Sequence, residues 1–383
     1  MKATVADAIG YALKDLGVEV VTHVPGYGAS ESFLSYNTIN FKRFPISFHE
    51  EVAYTISHGA SIVGKRSVCL IKAQGFAKAA NSVIDSLYTS ITAGFVTIIF
   101  DDKTGSHSDS VMEIEKLLRG IVFPYTRAES EVVYDDLINA FHESEKTHFP
   151  HVLIVDSDDI EKVIEFNQQS FAKSFLYKRD ILQHVVHPLF ADYQFKVYTS
   201  RKFKEDFSSI PKPVIPNVPI DLPKNTKASA VKYQPFFDVL KNINADIVTG
   251  DTSSSSAYSL PPYDLIDIVT YIGGSIPLAI GAYLAGNRNV WALTGDFGFI
   301  AAGHLGLLEA TLRELPLKIV IFNNKQAAAT GGQPIPKTAL LRILAGYDKF
   351  IRSITNSQDP FEILEVLEEA NNSDDLRIII VDY

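Results

Sequence analysis

The sequence predicts an α/β protein of two units, each a parallel sheet covered by helices on both faces. Three observations carry this. Short, continuously apolar, β-branched runs recur at VEVVTHV (18–24), SVCLIK (67–72), FVTIIF (95–100), HVLIVD (151–156), DIVTGD (246–251), VWALTGD (290–296), LKIVIFNN (317–324) and RIIIVDY (377–383). Helical patterns lie between them. A proline-dense stretch, KPVIPNVPIDLPKN (212–225), separates the first four runs from the last four. Strands that are apolar throughout and alternate with helices belong to sheets buried on both faces.

The elements follow in order. After 18–24 comes a helix at ASESFLSYN (29–37), then a strand at FPISF (44–48). The stretch EVAYTISHGASIVG (51–64) reads as a helix ended by glycine, and another helix runs from about Phe76 to Thr92. In the second unit, helical stretches fall at about 275–285, 302–314 and 360–370. Proline density forbids regular structure in the connector. The expected division is a first domain at 1–165, a connector at 166–235 and a second domain at 236–383.

Composition narrows the function. The 383 residues carry 35 Lys plus Arg against 45 Asp plus Glu, a formal charge of −10, which argues against a general nucleic-acid binder. The one cysteine, Cys69, makes neither an internal disulfide nor a four-thiolate zinc or iron–sulfur site. No apolar run reaches the roughly 18 residues that span a bilayer. The N-terminal MKATVADAIGYALKDLG mixes charge into a helical pattern, unlike a signal peptide. A cytoplasmic protein without membrane partners is expected.

In open parallel sheets, ligands bind beyond the carboxyl ends of the strands. Gly295-Asp296-Phe297-Gly298 follows one strand and Asn323-Asn324-Lys325-Gln326 the next, with the two Asn 27 and 28 residues after Asp296. A strand-helix-strand unit sets these ends side by side. An Asp carboxylate, an Asn amide oxygen and a nearby carbonyl form a hard oxygen set suited to Mg²⁺ with substrate phosphate oxygens. A helix beginning near Gly298 would help hold a diphosphate. Gly-Asp alone is equally a capped strand-turn-helix; the spaced Asn pair distinguishes the two.

This arrangement resembles the diphosphate domain of thiamine diphosphate enzymes, which carry Gly-Asp and then Asn-Asn about thirty residues on. The resemblance implies two domains of the thiamine diphosphate-binding fold, pyrimidine-binding then diphosphate-binding. It implies Asp296, Asn324 and the carbonyl of Gln326 as Mg²⁺ ligands. Phe297 departs from the family's Gly-Asp-Gly. His49-Glu50-Glu51-Val52-Ala53 matches the pattern that places a glutamate, Glu50, at the cofactor's pyrimidine nitrogen. Gly273-Gly274-Ser275-Ile276 matches the segment whose bulky aliphatic residue, here Ile276, props the cofactor into a bent shape. Gly250-Asp251-Thr252-Ser253 resembles a loop for diphosphate oxygens, and Ala327 to Pro334 a loop closing over the cofactor through Thr330. Gly26, Gly250, Thr252, Ser253, Ser275, Ile276, Gly295, Gly298 and Thr330 are the expected cofactor contacts.

Several runs narrow the resemblance to the thiamine-binding subunit of archaeal indolepyruvate ferredoxin oxidoreductase: VVTHVPGYGAS (20–30), HEEVAYTISHGASIVGKR (49–66), GDTSSSSAYSLPP (250–262) and NNKQAAATGGQP (323–334). That family ends in a ferredoxin-like domain with Cys-x-x-Cys clusters, which this sequence lacks. The resemblance implies a thiamine diphosphate- and Mg²⁺-dependent enzyme acting on an aryl or branched 2-oxo acid. Without cluster ligands, the expected reaction is non-oxidative decarboxylation to an aldehyde. The alternative is an oxidoreductase subunit borrowing clusters from a partner chain. Glu50 is the expected activator, and His23 and His107 are candidate proton donors. A homodimer or dimer of dimers is expected, with Glu50 of one chain facing Asp296 and Ile276 of another.

Overall fold

The computed structural model describes residues 1–383 apart from 204 and 337 and the side chain of 225. The chain divides into two compact units, Met1–Lys178 with Tyr198–Asp206, and Arg179–Val197 with Phe207–Tyr383.

The first unit holds a five-stranded sheet in the order Val20–His23, Ser67–Lys72, Phe95–Asp101, His151–Asp156, Tyr125–Arg127. All four pairings are parallel. Leu70, Ile98 and Leu153 of the strands share one core with Ile9 and Leu13 of the helix Val5–Asp15 and Phe141 of Val133–Thr147. Thr4 caps the first of these helices by accepting from the Asp7 N–H. The helix Glu50–Ile62 is buried from Val52 onward, which its small and apolar residues permit.

The second unit holds six parallel strands in the order Ile351–Ile354, Arg377–Asp382, Lys318–Asn323, Val290–Gly295, Ile247–Asp251, Ile268–Thr270. Leu293, Val320 and Ile379 pack with Phe236, Phe237, Ile363 and Leu367 in its core. Ile247–Asp251 has its sequence successor on one side and Val290–Gly295 on the other. The connection leaving it and the one leaving Val290–Gly295 thus run in opposite directions, and the crevice outside the carboxyl ends of these two strands is where such folds bind ligands.

Three expectations change. The run 44–48 forms no strand: Ile46 and Phe48 are exposed, Pro45 lacks an N–H, and the Ser47 N–H donates to the His23 carbonyl at 2.8 Å. The helix expected over 76–92 is broken into Ala73–Lys78 and Ala80–Asp85. The stretch 166–235 is shared between the units instead of forming a separate connector. Phe166 is buried in the first core, while Val185, Phe190, Val218 and Leu222 are buried in the second. A helix, Lys224–Leu240, starts inside it and contains Pro235. Among the described residues, no helix is long and apolar enough to cross a membrane.

Arg66 fastens part of this stretch to the first unit. It is 3% exposed; its Nε donates to Glu145 Oε1 at 2.6 Å, and its Nη1 donates to the carbonyls of Leu16 and Phe171. Removing one member of a buried pair strands the other charge, at a cost of about 3–5 kcal/mol. Glu145→Ala is therefore expected to lower unfolding stability by about that amount in urea melts.

Candidate active site

In the second unit, a cavity of about 280 Å³ opens at the crevice just described. Thr252 and Ser253 reach it from the end of one strand, Gly295 to Gly298 from the next, and Asn324 and Gln326 from the third. The register sets Gly295 opposite Phe322, so Asp296 begins beside Asn323 and Asn324. Asp296 is 1% exposed. Its Oδ1 accepts from the Phe297 N–H at 2.8 Å and its Oδ2 from the Lys325 N–H at 2.5 Å. Burial pushes its pKa up, against these backbone hydrogen bonds. Asn324 Oδ1 accepts from the Gln326 N–H, and its Nδ2 donates to the Tyr233 hydroxyl at 2.8 Å.

Asp296, Asn324 and Gln326 thus line a single cavity. Among the described residues, no group of three or more His, Cys, Asp or Glu could hold a metal. Such a lean donor set fits an ion that shares its shell with phosphate oxygens, as Mg²⁺ does, and does not fit zinc held by protein ligands alone.

The floor is built around Asp251, which is wholly buried. Its Oδ2 accepts from the Gly273 N–H at 2.8 Å and from Thr294 Oγ1 at 2.5 Å. Gly273 has φ +82°, and a Cβ there would lie 2.6 Å from the Gly298 carbonyl oxygen. Only glycine fits that turn.

In the first unit, a cavity of about 380 Å³ lies beyond the carboxyl ends of three strands. Gly26, Tyr27, Glu50, Lys72, Gly75 and His107 line it. Glu50 Oε2 pairs with Lys78 Nζ at 2.7 Å, and Gly75 leaves room for the Glu50 stem, which a Cβ would meet at 2.8 Å. His107 stacks on Tyr27 with ring centroids 3.8 Å apart. Asp102 sets the loop carrying it, accepting from the N–H groups of Gly105, Ser106 and His107. Burial raises the Asp102 pKa, but the hydrogen bonds, Ser108 and His107 first, outweigh it and carry it down to about 2.

The expected residues fall into two groups. Asp296, Asn324, Gln326, Thr252, Ser253, Gly295, Gly298 and Thr330 line one cavity; Gly26, Glu50 and His107 line the other. Gly250, Ser275 and Ile276 are not brought to a cavity wall. Gly250 lies within its strand, and Ile276 is 0% exposed, packed toward Gly306. Ile272 lines the second-unit cavity in its place, four residues earlier. His23 also lies off the first-unit cleft. It is 3% exposed, stacked on Phe33, with Nε2 3.2 Å from Ser30 Oγ. Burial pushes its pKa down to about 4, so it carries no spare proton at neutral pH. Sequence reasoning missed Tyr233, which lay in the expected connector, and Lys72, although the strand-end rule applied to it.

Residues 250–372 match the family described as thiamine pyrophosphate enzyme, C-terminal TPP binding domain. With both sheets parallel and helix-covered, the chain has the two-domain thiamine diphosphate-binding fold. Among curated proteins, it is 34% identical over 76 residues to the indolepyruvate oxidoreductase subunit IorA of Methanothermobacter marburgensis, covering 20% of this chain and 12% of that one. It is 26% identical over 131 residues to the IorA of Archaeoglobus fulgidus, covering 31% and 21%. The likeness thus spans about a fifth or less of these relatives. Among solved structures, the thiamine diphosphate-dependent 4-hydroxybenzoylformate decarboxylase of Rhodococcus jostii RHA1 superposes with a TM-score of 0.67 at 13% identity, over 99% of this chain and 98% of that one. Benzoylformate decarboxylase from Polynucleobacter necessarius gives 0.67 at 12% identity, with the same coverage. At such identity the likeness speaks for the fold.

The buried His23 has a pH consequence. Its folded pKa lies below the unfolded value, so between about pH 6.5 and 4 the unfolded chain binds a proton that the native one does not. Its contribution is complete above that window and drains away as pH falls through it. Urea melts of wild type and His23→Phe are expected to diverge by about 1–3 kcal/mol between pH 7 and 4, with the wild type losing more.

Proposed function

We propose that the protein is a thiamine diphosphate- and Mg²⁺-dependent enzyme that decarboxylates an aryl or branched 2-oxo acid to an aldehyde. The carrying observation is the Asp296, Asn324 and Gln326 set at a cavity placed on the sheet's switch point, inside the matched segment. When bound, thiamine diphosphate supplies a nucleophilic carbon and a ring that accepts the electrons left by carbon dioxide. The chain's residues bind and position. Asp296, Asn324 and the Gln326 carbonyl hold the cation, and Thr252 and Ser253 meet phosphate oxygens. Ile272 takes the propping role expected of Ile276. Glu50 holds a proton at the pyrimidine nitrogen, which requires its pair with Lys78 to open. That pair is half-exposed on the lysine side, so opening it costs about 0–1 kcal/mol. His107, on the rim of the Glu50 cleft, is the proton donor this reading keeps. A homodimer or larger assembly completes the proposal.

A second reading has one observation in its favour, the likeness to IorA. In it the chain passes electrons to iron–sulfur clusters. Cys69 is wholly buried in a strand, and burial pushes its thiol pKa up to about 12, so it does not serve as a cluster ligand, and in this reading the clusters lie outside these 383 residues.

Calorimetry and product assays separate these. Asp296→Ala is expected to weaken thiamine diphosphate binding in Mg²⁺ by at least about tenfold, the loss of one charge-assisted ligand. Glu50→Gln is expected to keep binding within about threefold while turnover falls at least about a hundredfold. Aldehyde should form without any electron acceptor; strict dependence on a cluster protein and coenzyme A favours the second reading. Sedimentation velocity should give at least a dimer, and a monomer under assay conditions removes that part of the proposal.

A further inference from the structure

We infer that Lys72 is the carboxylate-recognising residue of the first-unit cleft, the group that selects a 2-oxo acid over a neutral carbonyl compound. Lys72 ends its strand at the cleft wall, and its stem lies against the Gly26 turn. A Cβ on Gly26 would sit 2.7 Å from its Cγ and 2.8 Å from its Cδ. Its ammonium donates to the His107 carbonyl oxygen and to Ser108 Oγ. Both acceptors are neutral. No ion pair joins Lys72 to a carboxylate among the described residues, whereas the nearby Lys78 is taken up by Glu50. An ammonium has three donors, and two are used.

A cation in a polar cleft, in no direct ion pair among the described residues and with one donor left over, suits a small carboxylate. The neighbouring hydroxyl of Ser108 and ring of His107 add polar lining. Asp109 also lines the cleft and is exposed, so the anion-accepting spot is confined to the Lys72 side, where no carboxylate is paired. The cleft holding this spot also holds Glu50. The inference therefore rests on the decarboxylase reading for its substrate and on the Lys72 geometry for its position.

A carboxylate held by an ammonium is stabilised before the reaction and loses its charge as carbon dioxide forms. Lys72 thus contributes to substrate binding more than to the chemical step. Because Lys72 also ties the 107–108 loop, Lys72→Gln is the informative variant: it keeps an N–H donor on a slightly shorter stem but carries no charge. Lys72→Arg restores the charge.

The test has two arms. In calorimetry on the protein without cofactor, phenylpyruvate is compared with phenylacetone, which lacks the carboxylate. Wild type and Lys72→Arg are expected to prefer phenylpyruvate by at least about tenfold, and Lys72→Gln to lose the preference. In turnover with thiamine diphosphate and Mg²⁺, Lys72→Gln is expected to raise KM at least about tenfold, with kcat within about threefold and cofactor affinity unchanged. A preference that survives in Lys72→Gln, or is absent from the wild type, overturns the inference. So does a fall in kcat with KM unchanged. A wild type that prefers phenylpyruvate through Lys72 but does not bind thiamine diphosphate supports the inference and sinks the decarboxylase reading.

Discussion

The parallel pairing of Val290–Gly295 with Lys318–Asn323 is the constraint on which the candidate site depends. With Gly295 opposite Phe322, the two chains leave the sheet side by side, and Asp296 meets Asn323 and Asn324 without further adjustment. Two backbone N–H groups then clamp the Asp296 carboxylate, one from its own turn and one from Lys325 across the gap. The second bond is what joins the two loops. Lys325 adopts φ +65°, an uncommon conformation for a non-glycine residue, and its N–H is the donor of that bond. Asn324 is steadied from a third direction by Tyr233, whose ring packs against Phe322 within the core. The donor set is thereby attached to buried elements, as a site needing fixed geometry requires.

Much of this was legible in the sequence because parallel sheets leave a strong trace. Their strands are apolar on both faces, so 67–72, 95–100, 151–156 and 318–323 stand out as unbroken runs. Spacing then places strand ends together, and the Asp296 and Asn324 pairing follows from it. Edge strands left a weaker trace. Tyr125–Arg127, Ile268–Thr270 and Ile351–Ile354 are short edge strands and were not anticipated. The run 44–48 erred in the other direction: its composition suits a strand, but it joins no sheet, and while Phe44 packs on the core, Ile46 and Phe48 face solvent.

The propping residue shows where pattern reading stops. Ile272 and Ile276 flank the same Gly-Gly-Ser, and both are bulky aliphatic residues. One helical turn separates them, and which meets the cavity depends on where the turn ends and the helix begins. Gly273, at φ +82° and with no room for a Cβ beside Gly298, makes that turn, leaving Ile272 ahead of it at the cavity and Ile276 inside the helix. The connector failed for a similar reason. Proline density marked irregular backbone correctly, but irregular backbone is compatible with burial when its side chains are apolar, as Val218 and Leu222 are.

The two cavities differ in what they ask of their charged groups. Around Asp296, the carboxylate is buried and held by backbone N–H groups, with no ammonium or guanidinium paired to it among the described residues. Around Glu50, the carboxylate faces an ammonium, Lys78, which under the proposed function a nitrogen base would displace. Because Lys78 is half-exposed, water takes over its charge when it swings away, and the exchange is nearly even. Among the described residues, Lys72 pairs with no carboxylate; its ammonium donates to a carbonyl and a hydroxyl. On the inference above, a carboxylate in the first-unit cleft would meet a half-buried ammonium held by neutral acceptors. One cleft thereby contains a lysine that holds its acid in reserve and a lysine that holds itself open for one.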